Sequence, residues 1–264
     1  SRAPGFLGPR CGYLNVTELQ DGPVGFAAAE TLSAERIRRR RALLDEVRSA
    51  ARRDPATAPQ DEALTQFQRL AGPEFLRLFD LRTESATLRQ SYGEEFGQRC
   101  LVARRLVEAG VRFVEVSFNL NFVNGTGWDT HNDGQRKQHL LIQGLDNAVS
   151  TLLGDLERRG NLDRVLVVIA TEFGRPPEFD AGGGRGHQSR GYTMVLAGGG
   201  LRHGVVVGQT DELSKKIVER PVTIPDFLAT ICAAMGIDPT KELYDGPRPV
   251  PITDGGRAIR ELFA

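Results

Sequence analysis

The chain has 264 residues, of which 40% are hydrophobic and 26% are charged, so it is long enough to bury a sizeable core. Its 34 basic and 34 acidic residues cancel, which gives no argument for a nucleic-acid partner or an anionic membrane. Cys11, Cys100 and Cys232 lie far apart without a metal or redox spacing, and no apolar run reaches the roughly 18 residues of a membrane span.

The first 93 residues are interpreted as an irregular lead-in followed by a helical appendage. Residues 1–30 are rich in glycine and proline, and Ser33 is the predicted N-cap of the first helix. That helix carries a basic run at residues 36–41. Because apolar residues recur along the same helix, the pattern favours a solvated face over a nucleic-acid surface. A second helix is predicted near residues 61–72.

Residues 94–264 alternate between predicted helices and strands. Gly110 ends a first helix, and residues 111–118 then alternate as a strand. Residues 164–170 are a nearly all-apolar run, typical of a strand covered on both faces. The two helices around these strands are marked by apolar stripes, which are Phe96, Cys100, Ala103 and Val107 for the first and Leu141, Leu145, Ala148, Leu152 and Leu156 for the second.

Shorter apolar runs at residues 193–197 and 204–208 and a helix at residues 223–236 continue this alternation. This alternation of strands and helices predicts an α/β fold with a mostly parallel central sheet flanked by helices. We expect residues 1–93 and residues 94–264 to form one structural unit.

Three clusters of polar side chains lie near the predicted strands, and two of them follow a strand. Asp129 and His131 come after the first strand and its loop, Glu172 and Arg175 follow the apolar run, and His187 ends a glycine-rich loop. In open α/β sheets, ligands bind outside the carboxyl ends of the strands. These positions therefore predict a site.

The chemistry of these residues suits a metal ion. In extended backbone, Asp129 and His131 project to the same side, and with Glu172 and His187 they form a ligand set for zinc or a similar metal. Glycines 182–184 would let the backbone approach a bound anion. The alternative is a polar turn in which Asp129 or Asn132 caps the following helix and Glu172 pairs with Arg175. The glycine runs match neither nucleotide-binding pattern.

Five blocks of the sequence, in this order, resemble one known family. The blocks are residues 92–116, GWDTH at 127–131, TEFGRPP at 171–177, residues 219–238 and the closing PITDGGRAIRELFA. The family is the sulfatase-like domain of unknown function 1501, placed in the alkaline phosphatase and sulfatase superfamily. The resemblance implies an alkaline-phosphatase-like α/β sandwich, incomplete at its N-terminal side, with a metal-supported site for sulfate or phosphate esters.

The resemblance also implies roles for individual residues. Asp129 and His131 match the first metal-binding pair, Glu172 stands where a second acidic ligand would be, and His187 matches the final histidine. The implied cofactor is a divalent zinc, manganese or calcium ion, and the anion would be held by Arg175 or Arg185. The substrate would be a small anionic ester or a sulfated glycan, and an extracytoplasmic location is expected from the family.

The chain departs from the superfamily pattern at one ligand position and at its nucleophile, and from the family pattern in its glycine-rich loop. Glu172-Phe173 replaces the usual Asp-His, and Gly186 and Gln188 replace an acid and an aromatic residue. No Cys-x-Pro-x-Arg signature is present, so the nucleophile is expected in an N-terminal remainder of the same protein. The expectation is a metal-dependent ester hydrolase; the alternatives are a non-catalytic member that binds an anionic ligand and an assembly scaffold.

Overall fold

The computed structural model describes residues 4–8, 11–16, 19, 22, 33–51, 73–117 and 127–263. Its contacts divide the chain into two compact units, Ser1–Ser85 and Ala86–Ala264. All the polar residues that the sequence predicts as a site belong to the second unit.

The described part of the first unit is mainly helical. Helix α1 spans Ala34–Ala51, and the Ser33 hydroxyl accepts a hydrogen bond from the backbone N–H of Arg36 at 3.3 Å, which confirms the predicted N-cap. Helix α2 spans Pro73–Leu76 and leads into short 3-10 turns. The second predicted helix, near residues 61–72, lies outside the described residues.

In the second unit, a pair of packed helices forms much of the core. The unit contains α3 (Ala86–Ser91), α4 (Glu95–Glu108), α5 (Gly134–Arg158) and α6 (Ile224–Ala234). Helix α4 packs against α5. The buried apolar side chains of these two helices are Cys100, Leu101, Val102, Ala103, Leu106, Leu141, Ala148 and Leu156. Both predicted helices are therefore confirmed, and their apolar stripes face the core.

The strands of the described residues form three two-stranded antiparallel sheets. Strand β1 (Leu166–Ile169) pairs with β2 (Val195–Gly198). Strand β3 (Gln209–Thr210) pairs with β4 (Ile217–Glu219). Strand β5 (Glu242–Asp245) pairs with β6 (Arg248–Pro251). The fold is thus a mixed α/β arrangement.

The prediction of a mostly parallel central sheet is not supported. Residues 111–117 form no strand, so among the described residues β1 lacks the parallel neighbour that the sequence pattern assigned to it. Residues 204–208 form no strand either. Val168 in β1 is exposed, so this strand is not covered on both faces. An apolar run predicts that a strand exists, but it does not encode the partner or the direction of pairing.

The C-terminal segment is fixed to α6 by polar contacts. Thr223 and Asp226 form a capping box at the start of the helix. The buried Thr230 hydroxyl donates to the Asp226 carbonyl at 2.7 Å and accepts from the Ile259 N–H at 3.0 Å. Across the described residues, no helix combines the length and apolar character needed to span a membrane.

Candidate metal centre

The segment that precedes α5 is held against the glycine-rich loop by backbone hydrogen bonds. The N–H of Gly184 donates to the carbonyl of His131 at 3.0 Å, and the N–H of Asp133 donates to the carbonyl of Gly182 at 2.8 Å. These bonds place the loop that ends in His187 beside the Asp129–His131 segment.

Two loop glycines are required by this close approach. A Cβ atom on Gly184 would lie 2.2 Å from the Thr130 carbonyl oxygen, and one on Gly182 would lie 1.8 Å from Asn132 Oδ1. Only glycine leaves this space free. These glycines, predicted to approach a bound anion, instead approach the backbone around His131.

A second pair of backbone bonds sets the orientation of His187. Gly174 and Gln188 exchange N–H···O bonds of 2.8 and 2.9 Å. The pairing stacks the Phe173 ring on the His187 imidazole, with centroids 3.9 Å apart and planes inclined by 24°. Phe173 therefore restricts the ring plane of His187.

Three ligand atoms from three side chains converge at one point. The distance from Asp129 Oδ1 is 2.7 Å to His187 Nε2 and 3.1 Å to His131 Nε2. The two Nε2 atoms are 3.2 Å apart. Within the part of the chain that the structure describes, this trio is the only group of three or more histidine, cysteine or acidic side chains arranged to hold a metal ion.

Asp180 fixes the tautomer of His131. Its Oδ2 lies 2.8 Å from His131 Nδ1. Because a carboxylate accepts hydrogen bonds, Nδ1 is the ring nitrogen that donates to Asp180, and Nε2 is the one that faces Asp129 and His187. Carboxylate–histidine pairs of this kind orient the imidazoles that bind metals.

Arg175 holds Asp129 in its ionised form. Its Nη2 donates to Asp129 Oδ1 at 2.8 Å and to the Trp128 carbonyl at 3.1 Å. Hydrogen bonds from His187 and then from Arg175 lower the pKa of Asp129 to about 2. Asp129 is therefore a carboxylate at neutral pH. Its oxygen has lone pairs for both an arginine N–H and a cation.

The trio fits a transition-metal ion. Ligands bound to a tetrahedral zinc ion at its usual bond lengths lie about 3.3 Å apart. The separations of 2.7, 3.1 and 3.2 Å approach this value. Two imidazole nitrogens and one carboxylate oxygen suit zinc or a similar metal. Calcium takes oxygen ligands and does not suit this set.

The other predicted site residues lie outside the trio. Glu172 is exposed and is not part of the cluster. Arg175 also donates to the carbonyl of Arg185. Arg185 in turn donates to the carbonyls of Pro176 and Pro177. The structure therefore gives both arginines internal hydrogen bonds.

Sequence reasoning missed two residues that support the trio, Asp180 and Phe173. Asp180 precedes the glycines in the sequence, and nothing in that pattern indicates that it reaches His131. Phe173 was interpreted only as the loss of a ligand. The structure shows the Phe173 ring stacked on the His187 imidazole.

The match to a family model covers residues 1–263. The chain belongs to the family described as protein of unknown function (DUF1501). Neither the comparison with curated proteins nor the comparison with solved structures finds a match. The DUF1501 assignment carries no reaction with it, so any function must be argued from the site itself.

Proposed function

We propose that this DUF1501 chain binds one divalent metal ion through Asp129, His131 and His187, and that the ion serves the hydrolysis of sulfate or phosphate esters. The observation that carries the proposal is the convergence of three ligand atoms within 3.2 Å of one another. With Nδ1 directed at Asp180, His131 presents Nε2 to the Asp129 carboxylate. A metal ion between these atoms would replace any proton that they share.

Zinc is the favoured ion among the three expected from the sequence. Imidazole nitrogen is a good ligand for zinc, whereas manganese and calcium favour carboxylate, carbonyl and water oxygens. Two of the three donors here are imidazole nitrogens.

The number of ligands favours a catalytic ion over a structural one. Structural zinc sites are closed by four protein ligands, whereas catalytic sites use three and keep a position for substrate or water. The trio supplies three ligands, and their side chains are 37%, 43% and 46% exposed. Substrate can therefore reach them from solvent.

Neighbouring side chains hold this arrangement in place. Asp180 keeps the His131 proton on Nδ1, Arg175 orients Asp129, and Phe173 limits rotation of His187. A bound divalent ion would polarise an ester oxygen and neutralise charge on the transferred group.

A binding protein without turnover is the second candidate. Among the described residues, no serine, threonine or cysteine side chain forms a hydrogen bond to Asp129, His131 or His187. The described site thus contains no activated side-chain nucleophile. The lack of such a nucleophile among the described residues supports a protein that binds an anion without hydrolysing it.

Elemental analysis of the purified 264-residue chain tests the metal centre. We expect about one zinc ion per chain after dialysis against zinc and then buffer, and a loss of most of that zinc in Asp129→Asn and His131→Ala. The matched control is His139→Ala, because His139 is exposed on α5 and is not part of the trio. A zinc-free parent chain, or equal zinc in the ligand variants, would contradict the proposal.

Turnover of aryl sulfate and aryl phosphate by the zinc-loaded chain separates the two candidates. Hydrolysis that disappears with Asp129→Asn supports the hydrolase. Stoichiometric zinc without hydrolysis of either ester, in a protein that also contains the segment expected to supply the nucleophile, favours the binding protein.

A further inference from the structure

A polar cleft opens beside the metal ligands. Its volume is about 340 Å³, within the usual range for small-molecule sites. Its lining residues are Pro176, Glu178, His187, Gln188, Ser189, Arg190 and Lys215. Since His187 belongs to both the trio and the cleft wall, a molecule in the cleft lies next to the proposed ion.

The two arginines predicted to hold an anion form hydrogen bonds to other groups of the protein. Arg175 donates to the Asp129 carboxylate and to two backbone carbonyls. Arg185 donates to the Pro176 and Pro177 carbonyls, and its guanidinium carbon lies 4.1 Å from the Phe179 ring centroid. Neither side chain lines the cleft.

The charges of the cleft leave one cation without a counter-ion. Lys215 forms an ion pair with Glu178. The hydrogen bond from Lys215 lowers the pKa of the Glu178 carboxyl, so this pair is ionised and its charges cancel. Arg190 is exposed, and within the described residues it forms no ion pair or hydrogen bond. The cleft therefore carries one uncompensated positive charge.

We propose that Arg190 binds the tetrahedral oxyanion of a small sulfate or phosphate monoester in this cleft. The inference rests on the proposed function for its catalytic meaning, because His187 links the cleft to the metal centre. A guanidinium group offers paired N–H donors that match two oxygens of a sulfate or phosphate group. A single unpaired cation suits a monoester better than a polyanionic glycan.

Calorimetric binding of inorganic phosphate and of sulfate to the full zinc-loaded chain tests the inference. We expect Arg190→Gln to weaken the binding of the preferred anion about tenfold and Arg190→Lys to retain part of it. Glu178→Gln removes the acid that neutralises Lys215, and it should tighten binding about threefold. The control is Arg202→Gln, since Arg202 is exposed and does not line the cleft.

Zinc content, measured in each variant, separates this inference from the metal centre. If anion binding depends on Arg190 while the parent chain contains no zinc, the result supports Arg190 as the anion-binding residue of the cleft. The same result contradicts the proposed metal centre. Stoichiometric zinc with equal anion affinity in Arg190→Gln and the parent overturns the inference. So does the absence of measurable phosphate and sulfate binding to the parent chain.

Discussion

Two clusters of charged side chains lie in the second unit, and they differ in burial and in the number of permanent cations beside their carboxylates. In the buried cluster, Asp155 accepts hydrogen bonds from Tyr92 and Arg159, each at 3.0 Å. Arg104 lies 3.2 Å from the same carboxylate and also contacts Glu108 at 2.6 Å. The side chains of Arg104 and Asp155 are only 2% and 5% exposed.

The candidate metal centre is open, and among the described residues its two carboxylates, Asp129 and Asp180, have one arginine beside them. Asp129, His131 and His187 bring an oxygen and two ring nitrogens together, and only Arg175 adds a cation that is always charged. A buried charge is stable when its partners lie in the protein, whereas ligand atoms that converge at the surface can exchange a shared proton for an external cation. The first cluster therefore serves stability, and the second is suited to binding.

The largest effect is expected from breaking the buried cluster with Asp155→Ala. Because Arg104 would lose its buried counter-ion, the free energy of unfolding should fall by about 3–5 kcal/mol. Denaturant titration measures this change. Asp146→Ala is the matched control on the exposed side of the same helix. A loss below about 1 kcal/mol in Asp155→Ala would show that the network does not stabilise the fold.

A smaller effect, confined to the metal centre, is expected from Asp180→Ala. Without the carboxylate that orients His131, zinc affinity should fall about 10- to 100-fold. The zinc affinity of Asp180→Asn should lie between those of Asp180→Ala and the parent chain, because an amide oxygen still accepts a hydrogen bond from Nδ1 but carries no charge. Zinc titration monitored by calorimetry gives both affinities. An unchanged zinc affinity in Asp180→Ala would show that Asp180 does not orient His131 for metal binding.

The smallest effect is expected from Tyr92→Phe. Burial and the adjacent Asp155 charge raise the pKa of Tyr92, so its hydroxyl remains a donor. Losing this hydrogen bond should lower the free energy of unfolding by about 1 kcal/mol. Zinc affinity should not change. If Tyr92→Phe altered zinc affinity as strongly as Asp180→Ala, the two clusters would not be independent.

The sequence predicted the helices of the second unit well, because their apolar stripes repeat over many turns. Helix α5 illustrates this, with Leu141, Ala148 and Leu156 all buried. Strand pairing could not be predicted in the same way. The apolar run around β1 indicated a strand, but its antiparallel pairing with β2 depends on distant backbone hydrogen bonds that no local pattern specifies.

The site was also predictable in part. Asp129, His131 and His187 were expected to meet from residue type and order, and the structure brings them together. Glu172 was expected to join them from its position after a strand, yet side-chain direction there depends on the backbone turn that follows. The Asp180 contact with His131 arises from the glycine loop folding back on residues 130–132, a feature of tertiary structure.

Anomalous diffraction from zinc-loaded crystals, recorded on both sides of the zinc absorption edge, tests the metal centre most directly. The account predicts one strong peak about 2.0–2.2 Å from Asp129 Oδ1, His131 Nε2 and His187 Nε2. An empty centre at saturating zinc, or a peak bound only by other residues, would contradict it.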